Sequence, residues 1–431
     1  MMSGSVLTAV AVALFAVTYV GLMAFAKYRA FIALGSAALF VVIGIMPLGE
    51  VFSAVDWNVV MMIAGTMGTV ALFIESRMPA RLADLLINSV STVKWAIIFL
   101  SLFSSIISAF VDNVATVLMV APVAIGISKK LKISPVPSII AIAIASNLQG
   151  AATLVGDTTS ILLGGYANMN FIDFFFMEGK IGMFWIVQLA AIAATIALFF
   201  MVRKHDEHIP DVEIEQVNDY FPSLLLLGTI LLLIVASFIP KQSKPQNING
   251  IICVAVYAIG VFRSIFFKKD LDLVKRSLKE IDFFTLLLLA GLFVVVASIE
   301  NAGVIDLVAS FFSRISAGNK FMMYTVIVWF SVLLSSFIDN IPYVATMLPV
   351  VTALNVSMGM EGSYLLYFGL LAGATLGGNL TPIGASANIT GLGILRKEGY
   401  EVSARTFMTM SVPYTLAAVF TGYLLIWFIW K

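Results

Sequence analysis

Long apolar runs separated by short polar stretches make up most of this sequence. A helix needs about 20 predominantly apolar residues to cross the hydrocarbon core of a bilayer, and many of the runs approach or reach that length. The pattern therefore predicts an all-α polytopic membrane protein. We expect full spans at residues 5–26, 30–47, 57–74, 181–202, 221–239, 248–267, 283–299 and 407–430.

Two further apolar regions, 95–128 and 320–356, are each interrupted near the middle by an Asp-Asn pair. The pairs are Asp112-Asn113 and Asp339-Asn340. Limbs of about 15–17 residues on either side of a pair are short for full crossings. We therefore predict two re-entrant helical hairpins, each with its Asp-Asn pair at the tip.

The regions 137–168 and 362–394 are interrupted in a different way, by glycine and threonine. The first contains GAATLVGDTTS, Gly150 to Ser160, and the second GNLTPIGASAN, Gly378 to Asn388. Glycine lets the backbone leave helical geometry, and unwound backbone is tolerated at membrane depth only where it lines a cavity or is buried in protein. These regions predict two broken helices.

The polar landmarks of the two halves match. Asp56 precedes Asp112 by 56 residues, and Asp282 precedes Asp339 by 57. Internal repeats of this kind are typical of transporters that place their site at the repeat interface. With hairpins, each half has an odd number of crossings, so the repeat is inverted. The predicted organisation is a first repeat at 1–202, a linker at 203–220 and a second repeat at 221–431.

Composition supports a membrane protein and excludes other classes. Hydrophobic residues make up 61% of the chain and charged residues 11%, against about 25% charged in soluble domains. The net charge of +1 gives no reason to expect a nucleic-acid partner. The expected partners are a small solute and membrane lipid. The single cysteine, Cys253, excludes an internal disulfide.

Basic residues give the orientation. With two hairpins, most of the 25 lysine and arginine residues fall on the face that holds the linker. Because cytoplasmic loops carry the excess of Lys and Arg, we expect a cytoplasmic linker and an external amino terminus. The expected location is the cytoplasmic (inner) membrane.

Three carboxylates, Asp112, Asp157 and Asp339, are predicted at membrane depth, and the sequence places no Lys, Arg or His beside them. A buried carboxylate without a basic partner takes up a proton or binds a cation. We therefore expect H⁺ or Na⁺ coupling, with any Na⁺ held near these three side chains. Asp157 is the leading candidate for the coupling residue, because its counterpart in the second half is Ala385 and a purely structural aspartate would be expected in both halves. The alternative is that the aspartates only cap helices.

Neutral oxygens, amides and unwound backbone near the carboxylates predict the solute site. Free carbonyls bind cations, and free amide ends bind anions. The alternative is helix packing through small residues. The expected substrate-binding residues are Asn113, Thr153, Gly156, Thr158, Thr159, Ser160, Asn340, Asn379, Thr381, Gly384, Ser386 and Asn388.

These motifs resemble the ion transporter superfamily, in the branch that holds arsenite permeases, the pigment-cell P protein and sodium/proton antiporters. The resemblance spans nearly the whole chain. It implies an inverted-repeat transporter, usually dimeric, that moves a transport unit against a scaffold in elevator fashion. The motifs that carry it are FVDNVATVLMVAPV, GAATLVGDTTS, FIDNIPYVATMLPV, GNLTPIGASAN and GILRKEGY.

One motif departs from part of that superfamily. Its dicarboxylate carriers have Ser-Asn-Thr at each hairpin tip, whereas this chain has Asp-Asn. That difference, with no intramembrane Arg or Lys expected, disfavours di- and tricarboxylates. Arsenite, a weakly charged anion, and Na⁺ exchanged for H⁺ remain open.

The sequence therefore predicts a secondary active transporter for a small inorganic or organic anion or arsenite, coupled to H⁺ or Na⁺. A Na⁺/H⁺ antiporter is the main alternative. A passive channel or an intramembrane aspartyl protease is disfavoured, because polar positions are isolated and a second catalytic aspartate motif is missing. We expect no catalytic residues and no cofactor beyond the coupling ion. A homodimer is the expected assembly.

Overall fold

The computed structural model describes residues 4–209, 213–240 and 243–431. Within these ranges nearly all regular structure is helical, and seven helices are long and apolar enough to cross a bilayer singly. One further pair of helices, joined by a short break, is bent by 117°. The all-α class predicted from the sequence is therefore confirmed.

The first half contains ten α-helices and one small β-hairpin among its described residues. The strands β1 (Phe176–Met177) and β2 (Lys180–Ile181) pair antiparallel. The helices are α1 (Gly4–Ala24), α2 (Arg29–Val42), α3 (Val51–Ala54), α4 (Trp57–Glu75), α5 (Met78–Ile87), α6 (Val93–Ser108), α7 (Asn113–Leu131), α8 (Val136–Gln149), α9 (Thr158–Tyr166) and α10 (Met183–Val202).

Short 3-10 turns occur at Ala26–Tyr28, Leu48–Glu50 and Ile172–Phe174 in the first half, and at Gly378–Leu380 in the second.

The described part of the second half repeats the order of the ten α-helices. The helices are α11 (Phe221–Ser237), α12 (Ile248–Phe266), α13 (Leu271–Lys279), α14 (Phe283–Asn301), α15 (Val304–Ser316), α16 (Lys320–Ser335), α17 (Asn340–Ser357), α18 (Leu365–Gly377), α19 (Ser386–Lys397) and α20 (Ala404–Trp430).

The halves are joined by a reciprocal exchange of helix contacts. Helix α2 packs against α14 of the other half, and α12 packs against α4. Glycine makes both contacts close. A Cβ added at Gly65 would lie 2.3 Å from the carbonyl carbon of Cys253, and one at Gly291 would lie 2.8 Å from that of Ala33. Small residues are what allow membrane helices to approach this closely.

The two Asp-Asn regions form helix-turn-helix units, α6–α7 and α16–α17, that pack on the broken helices. Ser108 at the end of α6 donates a hydrogen bond to the Ser146 carbonyl of α8, at 2.8 Å. Its counterpart Ser335 donates to the Ala374 carbonyl of α18, at 2.6 Å. Each tip is therefore fastened to the helix that unwinds next to it.

Four short helices were not predicted as elements: α3, α5, α13 and α15. Each is too short or too polar to register as a span. In α5 the buried positions Pro79, Ala83 and Ile87 recur every four residues, which puts them on one face. Such helices lie along a protein surface and do not cross the bilayer alone.

The linker is fastened at both ends. At its start, the amide groups of Val93 and Lys94 at the root of α6 donate to linker carbonyls, at 2.9 and 2.8 Å. At its end, Asp219 pairs with Arg263 and Lys268, each at 2.6 Å. Burial alone would raise the pKa of Asp219, but its bonds to Arg263 and Lys268 outweigh burial and hold that pKa below its usual value.

The glycine contact between α4 and α12 gives a test of this packing. Gly65→Ala places a methyl group inside the backbone of α12, so the helices must separate. Overpacking of this kind costs about 1–3 kcal/mol, and we expect a lower melting temperature for the protein in detergent. Gly228→Ala on α11 is the control, because a Cβ there meets no atom within 4 Å. Equal melting temperatures for the two variants would contradict the close approach.

Candidate functional site

The hairpin tips place two aspartates at helix amino termini. Asp112 caps α7 and Asp339 caps α17, each accepting from first-turn backbone amides at 3.0–3.2 Å. Both have backbone angles outside the helical region, as an N-cap requires. Asp112 and Asp339 are therefore N-caps, as the capping interpretation predicts. It leaves room for a second role, because a carboxylate oxygen can accept more than one partner.

Asp157 connects the two halves. It caps α9 by accepting from the Thr158 amide at 2.7 Å. Its other oxygen accepts from Asn340 at the opposite hairpin tip and from Thr159, each at 3.2 Å. Asp157 is 4% exposed and lies close enough to interact electrostatically with Asp112 and Asp339. A carboxylate with only neutral donors in such a place can hold a proton or a cation.

A cavity of about 140 Å³ opens beside Asp157. Four of its lining residues are acidic: Asp112, Asp157, Glu280 and Asp282. None of the described residues that line it is Lys, Arg or His. The remaining polar lining residues are Asn113, Thr158, Thr285, Asn340 and Ser386.

A chain of buried side-chain amides connects the two halves, beginning at Asn113 in the cavity wall. Asn113 donates to Asn147 at 3.0 Å, and Asn147 donates to Asn379 at 3.1 Å and to the Thr375 carbonyl at 2.7 Å. Asn379 donates back to the Ile144 carbonyl at 2.8 Å. Because buried amide groups must be paired, this chain fixes one arrangement of the two unwound segments.

The hydroxyl and amide groups of the breaks bond mainly to backbone. Thr153 and Thr381 donate to carbonyls in the turns of the two hairpins. Ser160 and Asn388 donate to the carbonyl of the first glycine of their own break, at 2.7 and 3.3 Å. Each half therefore has two such bonds, at equivalent positions. They satisfy backbone that has left the helix, which is obligatory at membrane depth.

Two glycines let those segments pass closely. A Cβ at Gly156 would lie 3.1 Å from the Gly150 carbonyl oxygen, and one at Gly384 would lie 2.5 Å from that of Gly378. Only glycine fits at the second position without movement of the backbone.

The expectation that no basic residue joins the carboxylates is wrong for Asp339. Arg29, at the start of α2, pairs with Asp339 through Nη1 and Oδ2 at 2.9 Å. Ser386 donates to the same oxygen at 3.1 Å. This pair could not be predicted from the sequence, because Arg29 borders an apolar run and lies 310 residues from Asp339 along the chain.

The residues predicted from the sequence fall into two groups. Of the substrate-binding candidates, Asn113, Thr158, Asn340 and Ser386 line the cavity. The others support the breaks or contact other buried polar groups and are not among the lining residues: Thr153, Gly156, Thr159, Ser160, Asn379, Thr381, Gly384 and Asn388. Two cavity carboxylates, Glu280 and Asp282, were not predicted as site residues, although Asp282 was a landmark of the repeat.

The described residues contain no group of three or more His, Cys, Asp or Glu side chains arranged to hold a metal ion. Asp112, Asp157 and Asp339 therefore do not converge on one common metal position. A Na⁺ ion at any one of them would be completed by neutral oxygens.

These features together define a class. A repeated fold, two capped hairpin tips, two broken helices and buried carboxylates at their junction are the architecture of a secondary transporter. The crystal structure of the YdaH transporter of Alcanivorax borkumensis shares this fold, with a TM-score of 0.59, 14% identity, and coverage of 93% of this chain and 96% of that one. The inverted-repeat fold class is thereby confirmed.

The chain belongs to the citrate transporter family, whose model matches residues 12–373. An uncharacterized transporter of Mycobacterium tuberculosis, Rv2684, is 31% identical over 98% of each chain. The human P protein is 28% identical over 91% of this chain and 56% of its own length. The resemblance to the ion transporter superfamily is confirmed. The protein is an integral membrane transporter, and the protease alternative is excluded.

The amide chain gives a test of the site's construction. Asn147→Ala leaves buried groups of Asn113 and Asn379 without partners, at a cost of about 1–3 kcal/mol each. We expect a clearly lower melting temperature in detergent. Asn247→Ala, at an exposed position before α12, is the matched control and should melt like the wild type. A wild-type melting temperature for the Asn147 variant would show that the chain does not hold the breaks together.

Proposed function

We propose that this transporter moves a small anion together with H⁺ or Na⁺, and that the coupling cation binds at Asp157 with help from Asp112. The observation that carries the proposal is the lining of the cavity, where four carboxylates meet no basic side chain among the described lining residues.

Electrostatics explains why this lining couples the two fluxes. At an effective dielectric constant of about 20, two like charges 4 Å apart repel by about 4 kcal/mol. An anion therefore binds poorly while the carboxylates are ionised. Uptake of H⁺ or Na⁺ at Asp157 removes the repulsion, so the anion enters only after the cation. Transport of the anion alone is then suppressed.

The family match adds a solute to those under test. The Asp-Asn tips disfavoured tricarboxylates, but the family is described as one of citrate transporters. Citrate therefore stands beside arsenite and small inorganic anions. Arg29 also places a positive charge beside Asp339, which the sequence alone does not predict and which favours a more highly charged anion such as citrate.

Na⁺/H⁺ exchange is the second candidate, and the same acidic lining favours it. Exchange requires one carboxylate to alternate between the two cations, and Asp157 has the burial and the neutral partners for this role. Sodium-driven proton movement in liposomes that contain no other solute would support exchange. A requirement for citrate, arsenite or phosphate would support symport.

An elevator motion is part of the proposal. The pairs α2–α14 and α4–α12 are held by close glycine contacts and suit a fixed scaffold. The hairpins and broken helices pack mainly on one another, through α7 with α8 and α19 and through α17 with α9 and α18. They suit a unit that moves as one body, and a homodimer would anchor the scaffold.

Asp157→Asn tests the coupling residue. Asparagine keeps the helix cap but has no charge to bind a proton or sodium ion. We expect gradient-driven uptake of radiolabelled citrate, arsenite or phosphate into proteoliposomes to fall to the level of protein-free liposomes. The control is Asp270→Asn, which makes the same change at the N-cap of the peripheral helix α13 and should transport normally. Uptake by the Asp157 variant that still follows the imposed pH or Na⁺ gradient would remove the assignment.

We propose that the protein lies in the cytoplasmic (inner) membrane. In the proposed orientation, the linker faces the cytoplasm and the α11–α12 loop faces outside. Gln216→Cys lies in the linker and Gln246→Cys in that loop, both exposed, whereas native Cys253 is buried. A membrane-impermeant maleimide added to intact cells should label only the Gln246 variant, and both variants after lysis. Labelling of the Gln216 variant in intact cells would invert the topology.

A further inference from the structure

The two hairpin tips are equivalent in sequence but differ in charge. Each has an Asp followed by an Asn, and each Asp caps the second helix of its hairpin. Asp112 lines the acidic cavity and makes no ion pair with any described residue. Asp339 is paired with Arg29 at 2.9 Å. The repeat therefore holds two similar carboxylates, of which one already has a cation.

That cation is held in place by the corner between α1 and α2. Arg29 Nε donates to the Leu22 carbonyl at 3.0 Å, which fixes the guanidinium beside Asp339. Tyr19 on α1 donates a hydrogen bond to the Pro342 carbonyl at 2.6 Å, so α1 also contacts the first turn of α17. The pair is largely shielded from solvent, with 17% of the Arg29 side chain and 9% of the Asp339 side chain exposed.

The position equivalent to Arg29 in the second half carries no charge. Gly65 contacts Cys253 as Gly291 contacts Ala33, so Ala33 and Cys253 are equivalent. Four residues earlier, the first half has Arg29, whereas the second half has Asn249. Among the described residues, one tip therefore has a basic partner within the protein, whereas the other has none.

We propose that Asp339 is a second position for the coupling cation, in addition to Asp157, and that Arg29 is the tethered competitor of the cation there. It neutralises the carboxylate in the conformation seen here, and it must let go before Asp339 accepts a transported cation. Rebinding of Arg29 then expels that cation. The inference rests on the proposed cation-coupled function. In it, Arg29 does not contact the solute but drives release of the cation by binding Asp339 in its place.

The geometry supports competition over a purely structural pair. Arg29 belongs to the α2–α14 scaffold contact, whereas Asp339 belongs to a hairpin of the proposed moving unit, so movement separates them. Ser386 stays beside Asp339 at 3.1 Å and retains an oxygen for an incoming cation. Asp157 lies near enough to add its negative charge to the attraction.

Equilibrium binding of Na⁺ and H⁺ to the purified protein tests the proposal without any assumption about the solute. A neighbouring opposite charge within about 4–6 Å changes the proton affinity of a carboxylate by about 10- to 1,000-fold. Arg29→Gln should therefore tighten binding of H⁺, and of Na⁺ if it is the coupling ion, by about tenfold or more. Arg29→Lys keeps a competing charge and should stay near the wild type, as should the exposed control Arg405→Gln.

A double variant separates competition from folding. In Arg29→Gln/Asp339→Asn the site is lost with its competitor, so the gain in affinity should vanish while thermal unfolding confirms a folded protein. In proteoliposomes, Arg29→Gln should lower both the KM for the cation and the maximal rate, because release slows. Unchanged or weaker cation binding in Arg29→Gln would overturn the inference, as would a gain that survives in the double variant. A wild type without gradient-driven flux would instead overturn the proposed function.

Discussion

Acidic side chains and unwound backbone cannot stay unpaired inside a bilayer, and this constraint organises the structure. In each of the two broken helices, a nearby side chain donates a hydrogen bond to a carbonyl of the unwound backbone. Ser160 and Asn388 donate to a carbonyl of each break. Asp157 accepts from the amide that begins α9, whereas Ala385 offers α19 no side-chain cap. Because the partners come from both halves, the site exists only where the repeats meet. Asp157 shows this directly, since it takes hydrogen bonds from its own helix and from the opposite hairpin tip.

The constraint also links the site to its function. Capping uses only part of each carboxylate, and the remaining charge has to be met by something else. At Asp339 that partner is Arg29. At Asp112 and Asp157 the described surroundings offer neutral donors and further carboxylates. In the proposed function, the coupling cation supplies the missing positive charge, and this requirement links its binding to that of the solute.

Much of this arrangement could be predicted from the sequence, because it depends on local patterns. Apolar run length predicted six of the eight expected spans, whereas the runs at 30–47 and 221–239 form helices of only 14 and 17 residues. The Asp-Asn pairs predicted the hairpin tips, and the paired glycines predicted the breaks. Contacts between distant positions could not be predicted. Arg29 lies beside an apolar run with no local sign of its partner, and Asn147 reads as one polar residue in an apolar helix. The cavity position of Glu280 depends on the angle between α13 and α14, which no periodicity encodes.

The central claim is that the acidic cavity admits an anion only after it has taken up a cation. The most direct test is the affinity of the purified transporter for citrate, arsenite and phosphate, measured by calorimetry across pH and Na⁺ concentration. The account predicts that the affinity for the transported anion rises as pH falls or as Na⁺ increases, with cation uptake accompanying each binding event. Anion binding of constant affinity, with no cation taken up at any pH or Na⁺ concentration, would contradict it.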